Sequence, residues 1–154
     1  MLPLLAALLI GLVAGLRSMT APAAVSWAAQ LGWLDLDGSW LAFLDYAWTP
    51  VILTALAALE LVGDKLPQTP SRKVPHAFAT RIVSGAICGA AIGFPAGVTT
   101  FGLLAGVAGA VLGTLGGAAA RARLAAAFGR DMPAALVEDA AAVGVTAVAV
   151  GALL

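Results

Sequence analysis

The chain has 154 residues, 62% of them hydrophobic and only 10% charged, whereas a soluble domain carries about 25% charged residues, so a soluble globular protein is excluded. Eight Lys and Arg balance eight Asp and Glu, and no basic patch with interleaved aromatics is present to follow a phosphate backbone, which argues against nucleic acid as a partner. The single cysteine, Cys88, leaves no intramolecular disulfide and no cysteine-based zinc cage; set in an apolar run beside Ile87 and Ala90, it reads as packing.

A membrane-spanning helix needs about 20 apolar residues, and six segments approach that requirement: 2–16, 20–33, 47–64, 79–96, 100–120 and 133–154. No Lys or Arg precedes the first of them and Arg17 follows it, the reverse of a secretory signal, so the chain reads as mature from Met1. The first two segments are separated only by Arg17, Ser18, Met19 and Thr20, with Pro22 where a first-turn proline is tolerated. Residues 1–33 are either two thin spans or one span followed by a re-entrant half-helix. The expected fold is an all-α membrane protein with about six transmembrane or re-entrant helices. It forms a single transmembrane domain over 1–154, divisible into halves 1–66 and 77–154.

Positive residues are retained on the cytoplasmic side. The stretch Leu34–Tyr46 holds Asp35, Asp37 and Asp45 without a cation, and Trp33, Trp40, Tyr46 and Trp48 cluster about it, as rings do at an outer interface. Lys65, Arg72 and Lys73 in one connection and Arg121, Arg123 and Arg130 in another make six of the eight positive charges. Loops 65–78 and 121–131 are therefore expected in the cytoplasm and both termini outside. Gly11–Gly15 followed by Pro22 is echoed by Gly85–Gly89 followed by Pro95. The echo suggests two inverted three-helix repeats, as in many transporters, although small residues at this spacing recur in any Gly- and Ala-rich bundle. Glu60, late in its segment, and Glu138, early in its own, share a depth, which argues against duplication. Along the fifth segment Gly102, Gly106, Gly109, Gly113, Gly116 and Gly117 form a smooth face suited to packing inside the bundle or to a homodimer seam.

An ionisable residue at mid-helix costs about 2.5–3.5 kcal/mol on insertion scales, so the charges within spans carry the functional reading. Glu60 follows eight uncharged residues and lies four positions from Asp64, on one helical face. Glu138 and Asp139 are adjacent and point about 100° apart on a helix. Arg17 and Arg81 are the available counter-charges, with Ser18, Thr20, Thr80 and Ser84 as neutral donors. The expectation is one polar layer of Arg17, Glu60, Asp64, Arg81, Glu138 and Asp139 in the inner half of the bilayer. Such a layer is either a substrate or ion site or a set of structural ion pairs. A carboxylate beside a second carboxylate could load and release a proton, and an arginine could hold an anion through two parallel bonds. His76, with no second histidine, reads as a solvated loop residue rather than a metal ligand, and Thr69–Arg72 as a turn. No Ser/His/Asp set, phosphate-cradling loop or metal-ligand cluster can be built, so neither an enzyme nor a bound cofactor is expected.

Four stretches, Gly15–Pro22, Glu60–Pro67 with Thr69–Arg72, Arg81–Ala86 and Leu136–Asp139, resemble a family of small bacterial integral membrane proteins catalogued as a domain of unknown function. The resemblance covers most of the chain. It implies a bacterial inner-membrane protein and supplies no activity. The functional expectation is a small carrier or channel-like protein for a solute, proton or other ion; the alternative is a non-transporting protein whose charged layer holds helices together or docks a lipid or partner. Transport requires a water-accessible path to Glu60, whereas a structural layer is dry and paired.

Overall fold

A computed structural model describes residues 1–65 and 74–152, and over them the chain is helical with no strand. The helices are α1 (Leu2–Leu16), α2 (Thr20–Gln30), α3 (Thr49–Gly63), α4 (Pro75–Gly93), α5 (Thr99–Phe128) and α6 (Asp131–Gly151), with one 3-10 turn at Ala42–Asp45. Each of the six apolar segments overlaps one helix. The turn expected at Thr69–Arg72 lies outside the described residues.

Two boundaries differ from expectation for local reasons. Val74 is extended and Pro75 takes the first helical positions of α4, where its fixed φ and missing N–H cost nothing. His76 is consequently an exposed first-turn residue of a helix rather than a loop residue. At the other boundary, Ala118 to Ala127 is a run of strong helix formers that carries α5 past Arg121 and Arg123, until Gly129 ends it at φ 66° in the left-handed region. The expected loop 121–131 is thus reduced to a turn at Gly129 and Arg130.

Three helices, α4, α5 and α6, are long and apolar enough to cross a membrane. The shorter α1 and α3 have 15 residues each and α2 has 11. At 1.5 Å per residue they reach about 22 Å and 16 Å, against a hydrocarbon core of about 30 Å. Large apolar side chains face outward on several helices, including Ile52 and Leu59 of α3, Phe101, Leu104 and Leu112 of α5, and Val143 and Val148 of α6. An exposed apolar surface of this extent belongs in lipid.

The centre of the molecule is a three-helix contact of α1, α4 and α5 made by glycine. A Cβ on Gly11 would meet the backbone of Gly106, and one on Gly15 the backbone of Ala110, Gly113 and Thr114, so α1 and α5 run parallel. Gly85 lies against Gly106 and Gly89 against Gly102, so α4 runs antiparallel to α5. Without side chains in between, the backbones approach until dispersion between them replaces the hydrophobic force that lipid does not supply. Gly102, Gly106, Gly109 and Gly113 are therefore filled from within the chain, whereas Gly116 faces open space. The two halves differ in dimensions, with helices of 15, 11 and 15 residues in one and 19, 30 and 21 in the other.

The acidic stretch between α2 and α3 is a folded cap. Leu34, Leu36, Leu41 and Leu44 are buried beneath it. Gly32 and Gly38, at φ 75° and 73°, make turns that a Cβ would oppose. Trp40, Tyr46 and Trp48 remain exposed at this end, opposite the end where Arg17, Glu60 and Arg81 gather.

Candidate functional site: a charged layer at a helix break

The break between α1 and α2 organises the layer. Arg17 leaves the helix with φ −141° and ψ 107°, and α2 begins three residues later. An interrupted helix exposes the last carbonyls of one piece and the first amides of the next. Opposite charges from other helices meet them. The Arg81 guanidinium of α4 donates to the carbonyls of Gly15 at 2.9 Å and Leu16 at 2.8 Å, and the Thr114 hydroxyl of α5, which donates to the Ala110 carbonyl of its own helix at 2.8 Å, lies 3.3 Å from the Gly15 carbonyl. The Glu60 carboxylate of α3 accepts from the Ser18 amide and hydroxyl, both at 2.8 Å, and from the Met19 amide at 2.9 Å. The cation thus sits at a helix C-terminus and the anion at a helix N-terminus, each on the favourable side of the dipole. Arg81 and Glu60 also face one another at 3.7 Å, and Ser84 donates to the Ser18 carbonyl at 2.6 Å.

Arg17 itself is fully buried. Its two terminal nitrogens are hydrogen-bonded ion pairs with Asp64, just past the end of α3, and with Asp139 of α6. Lys65 reaches Asp139 at 3.0 Å. Arg121 of α5 binds Asp131 at 2.6 and 3.0 Å, Glu138 at 3.4 Å and the Asp64 carbonyl at 3.4 Å. The layer accordingly ties the α1–α2 break to α3, α4, α5 and α6.

The structure gathers Arg17, Ser18, Glu60, Asp64, Arg81, Ser84, Glu138 and Asp139 at one end of the bundle, with pairings that spacing could not specify. Arg17 takes Asp64 and Asp139 rather than Glu60, and Glu138 takes Arg121. The divergence of Glu138 from Asp139 follows from their 100° offset on the helix. Thr20 opens α2, but the Ser18 and Met19 amides and the Ser18 hydroxyl hold the carboxylate there. Thr80 turns its hydroxyl back to the His76 carbonyl of its own helix at 2.9 Å. Sequence reasoning missed Arg121, which it placed in a loop, and the part played by Lys65 and Asp131. The signal available for Arg121 was its seven-residue spacing from Thr114 along an Ala-rich run, which puts both on one helical face. Within the layer as described, the Arg17 Nε is a buried nitrogen without a hydrogen-bond partner. Among the described residues, no group of three or more His, Cys, Asp or Glu is placed to hold a metal ion.

Beside the layer, α3 stands away from α4 and leaves a cleft of about 580 Å³ whose walls include Pro22, Leu53, Val83 and Ile87, with Met19, Thr80 and Ser84 towards the charged end. Its volume is that of an ordinary small-molecule pocket, about 300–1,000 Å³. Glu60 is not part of its wall. Comparison of the chain with protein-family models, with curated proteins and with solved structures finds no match, so the geometry of the layer and the cleft carries the functional argument.

Proposed function

We propose that this chain is a multi-pass protein of the bacterial inner membrane that binds a molecule drawn from the bilayer in the cleft between α3 and α4. In this reading the charged layer is a fixed clasp around the helix break. The observation that carries it is the commitment of Glu60, whose two oxygens hold three donors at the start of α2 within 2.9 Å. Exchanging that carboxylate for a substrate would strip α2 of its cap and leave buried donors unsatisfied, at about 1–3 kcal/mol each. Arg17, bridging two carboxylates, is equally committed.

A second reading, a carrier that uses Glu60, draws support from the break itself, because interrupted helices with exposed termini are how many transporters build their sites. Proteoliposomes separate the two. Glu60→Gln keeps the shape and removes the charge, and the clasp reading expects a lowered melting temperature, with a loss of about 1.5–3 kcal/mol for a hydrogen-bonded charged group. It also expects no pH-gradient-driven uptake of small organic anions in either wild type or variant. Uptake by the wild type that Glu60→Gln abolishes overturns the clasp and establishes the carrier.

For topology, we place the charged end in the cytoplasm and the aromatic end and both termini outside, in six crossings, by the retention of positive residues. Cys88 is buried and stays silent towards thiol reagents. A membrane-impermeant maleimide added to intact cells is expected to label Ser39→Cys and to spare Arg130→Cys; the converse pattern inverts the orientation.

A further inference from the structure

The cleft has a chemical bias that its apolar walls alone do not reveal. Its lining is almost wholly apolar but includes three hydroxyl-bearing residues, Thr49 at the aromatic end and Thr80 and Ser84 at the charged end. All three donate their protons to backbone carbonyls: Thr49 to Phe43 at 2.8 Å, Thr80 to His76 at 2.9 Å and Ser84 to Ser18 at 2.6 Å. A hydroxyl has one proton and two lone pairs. Ser84 is buried, whereas Thr80 is exposed, and with its proton spent the Thr80 oxygen is left to accept a hydrogen bond. A carboxylate or phosphate placed there would find lone pairs facing lone pairs, and a pure alkane would use none of them.

We infer that the cleft takes a neutral long-chain lipid ending in a hydroxyl group, with the chain along Pro22, Leu53 and Ile87 and the hydroxyl donating to Thr80. The inference rests on the bilayer-ligand reading above and names the ligand class for that same site. Supply follows from location. The cleft opens beside Ile52 of α3 and Val83 of α4, both exposed apolar side chains on the lipid-facing surface, so a molecule dissolved in the hydrocarbon reaches it without crossing water. Hydrogen-bond complementarity then selects within that medium, because in hydrocarbon a donor without an acceptor is costly.

The test uses the full chain in phosphatidylcholine nanodiscs, whose headgroup has no hydrogen-bond donor to compete. The probes are 1-dodecanol, dodecane and dodecanoate at pH 8. Their binding is read as the concentration at which each raises the melting temperature, since a ligand that binds only the folded state stabilises it by mass action. Ile87→Trp, which fills the cleft, reports effects of the probes on the bilayer itself. We expect 1-dodecanol to act at a concentration at least tenfold below dodecane, dodecanoate to give no rise, and Ile87→Trp to abolish the response. Thr80→Val removes an acceptor whose hydroxyl bonds only its own helix, so the variant folds, and it should reduce the tenfold preference to threefold or less. Equal action of 1-dodecanol and dodecane, a rise with dodecanoate as large as with the alcohol, or an unchanged preference in Thr80→Val each overturns the ligand class. The binding-protein reading would survive those results. That reading fails instead on gradient-driven uptake abolished by Glu60→Gln, a measurement made without any of these probes.

Discussion

Gly106→Ala is expected to cost about 3 kcal/mol, the upper part of the usual range for overpacking a close contact, or more. A Cβ at this position meets the Gly85 carbonyl oxygen, with the Gly85 carbonyl carbon at 2.9 Å and the Gly89 Cα at 3.0 Å. All three are backbone atoms of α4, which cannot rotate away as a side chain would. Relief therefore requires α4 to move as a body, which would also loosen α1, packed through Gly11 on the same residue. Gly116→Ala and Gly144→Ala are the controls, since nothing lies within 4 Å of a Cβ at either position. Each replaces a helical glycine without strain and should stabilise by about 0.4–1 kcal/mol. Melting temperatures of the three variants in one detergent decide the matter; a Gly106→Ala protein that melts with the wild type would mean that the glycine contact is not close.

Arg17→Met is expected to cost about 3–5 kcal/mol, because it leaves two partly buried carboxylates without their shared cation. Asp64 and Asp139 keep less than a fifth of their side-chain surface exposed, so water does not readily replace the guanidinium. Arg17→Lys should retain little of the stability, since one compact ammonium cannot bridge two carboxylates as a planar fork does. The triple variant Arg17→Met, Asp64→Asn, Asp139→Asn should recover a substantial part of the loss, because the charge then left behind is that of Lys65, whose side chain is 26% exposed and can turn to water. Equilibrium unfolding in a fixed detergent measures the four proteins. Losses that simply add across the triple variant would show that Arg17 and the two aspartates do not act as a unit.

The glycine contact and the charged layer differ in how far each could be read in advance. The spacing of Gly102, Gly106, Gly109 and Gly113 already marks a smooth helix face, because helical periodicity depends only on local geometry. Which partner that face takes is not local. The same spacing serves a second copy of the chain as well as another helix, and the fold turns these four glycines towards α1 and α4. The clustering of Arg17, Glu60, Asp64, Arg81, Glu138 and Asp139 was legible because few charges occur in a chain this apolar and they fall at a common depth. Their pairing was not legible, since a shift of one residue turns a side chain by about 100°. Arg121 was hidden for a different reason, as hydropathy ends a span at the first charges while helix propensity carries Ala-rich α5 onward to Gly129.

By itself, then, the amino-acid sequence determined a helical membrane protein with six apolar segments and its positive charges set apart from the acidic, Trp- and Tyr-rich stretch about Leu34–Tyr46. These properties follow from composition and from the period of the helix. The tertiary structure alone decided that Glu60 caps α2, that Arg17 bridges Asp64 and Asp139, and that α3 stands off from α4 to leave an apolar cleft beside the layer. Each of these depends on contacts between residues tens of positions apart and on the rotamer each side chain takes, and neither is encoded in any local pattern of residues.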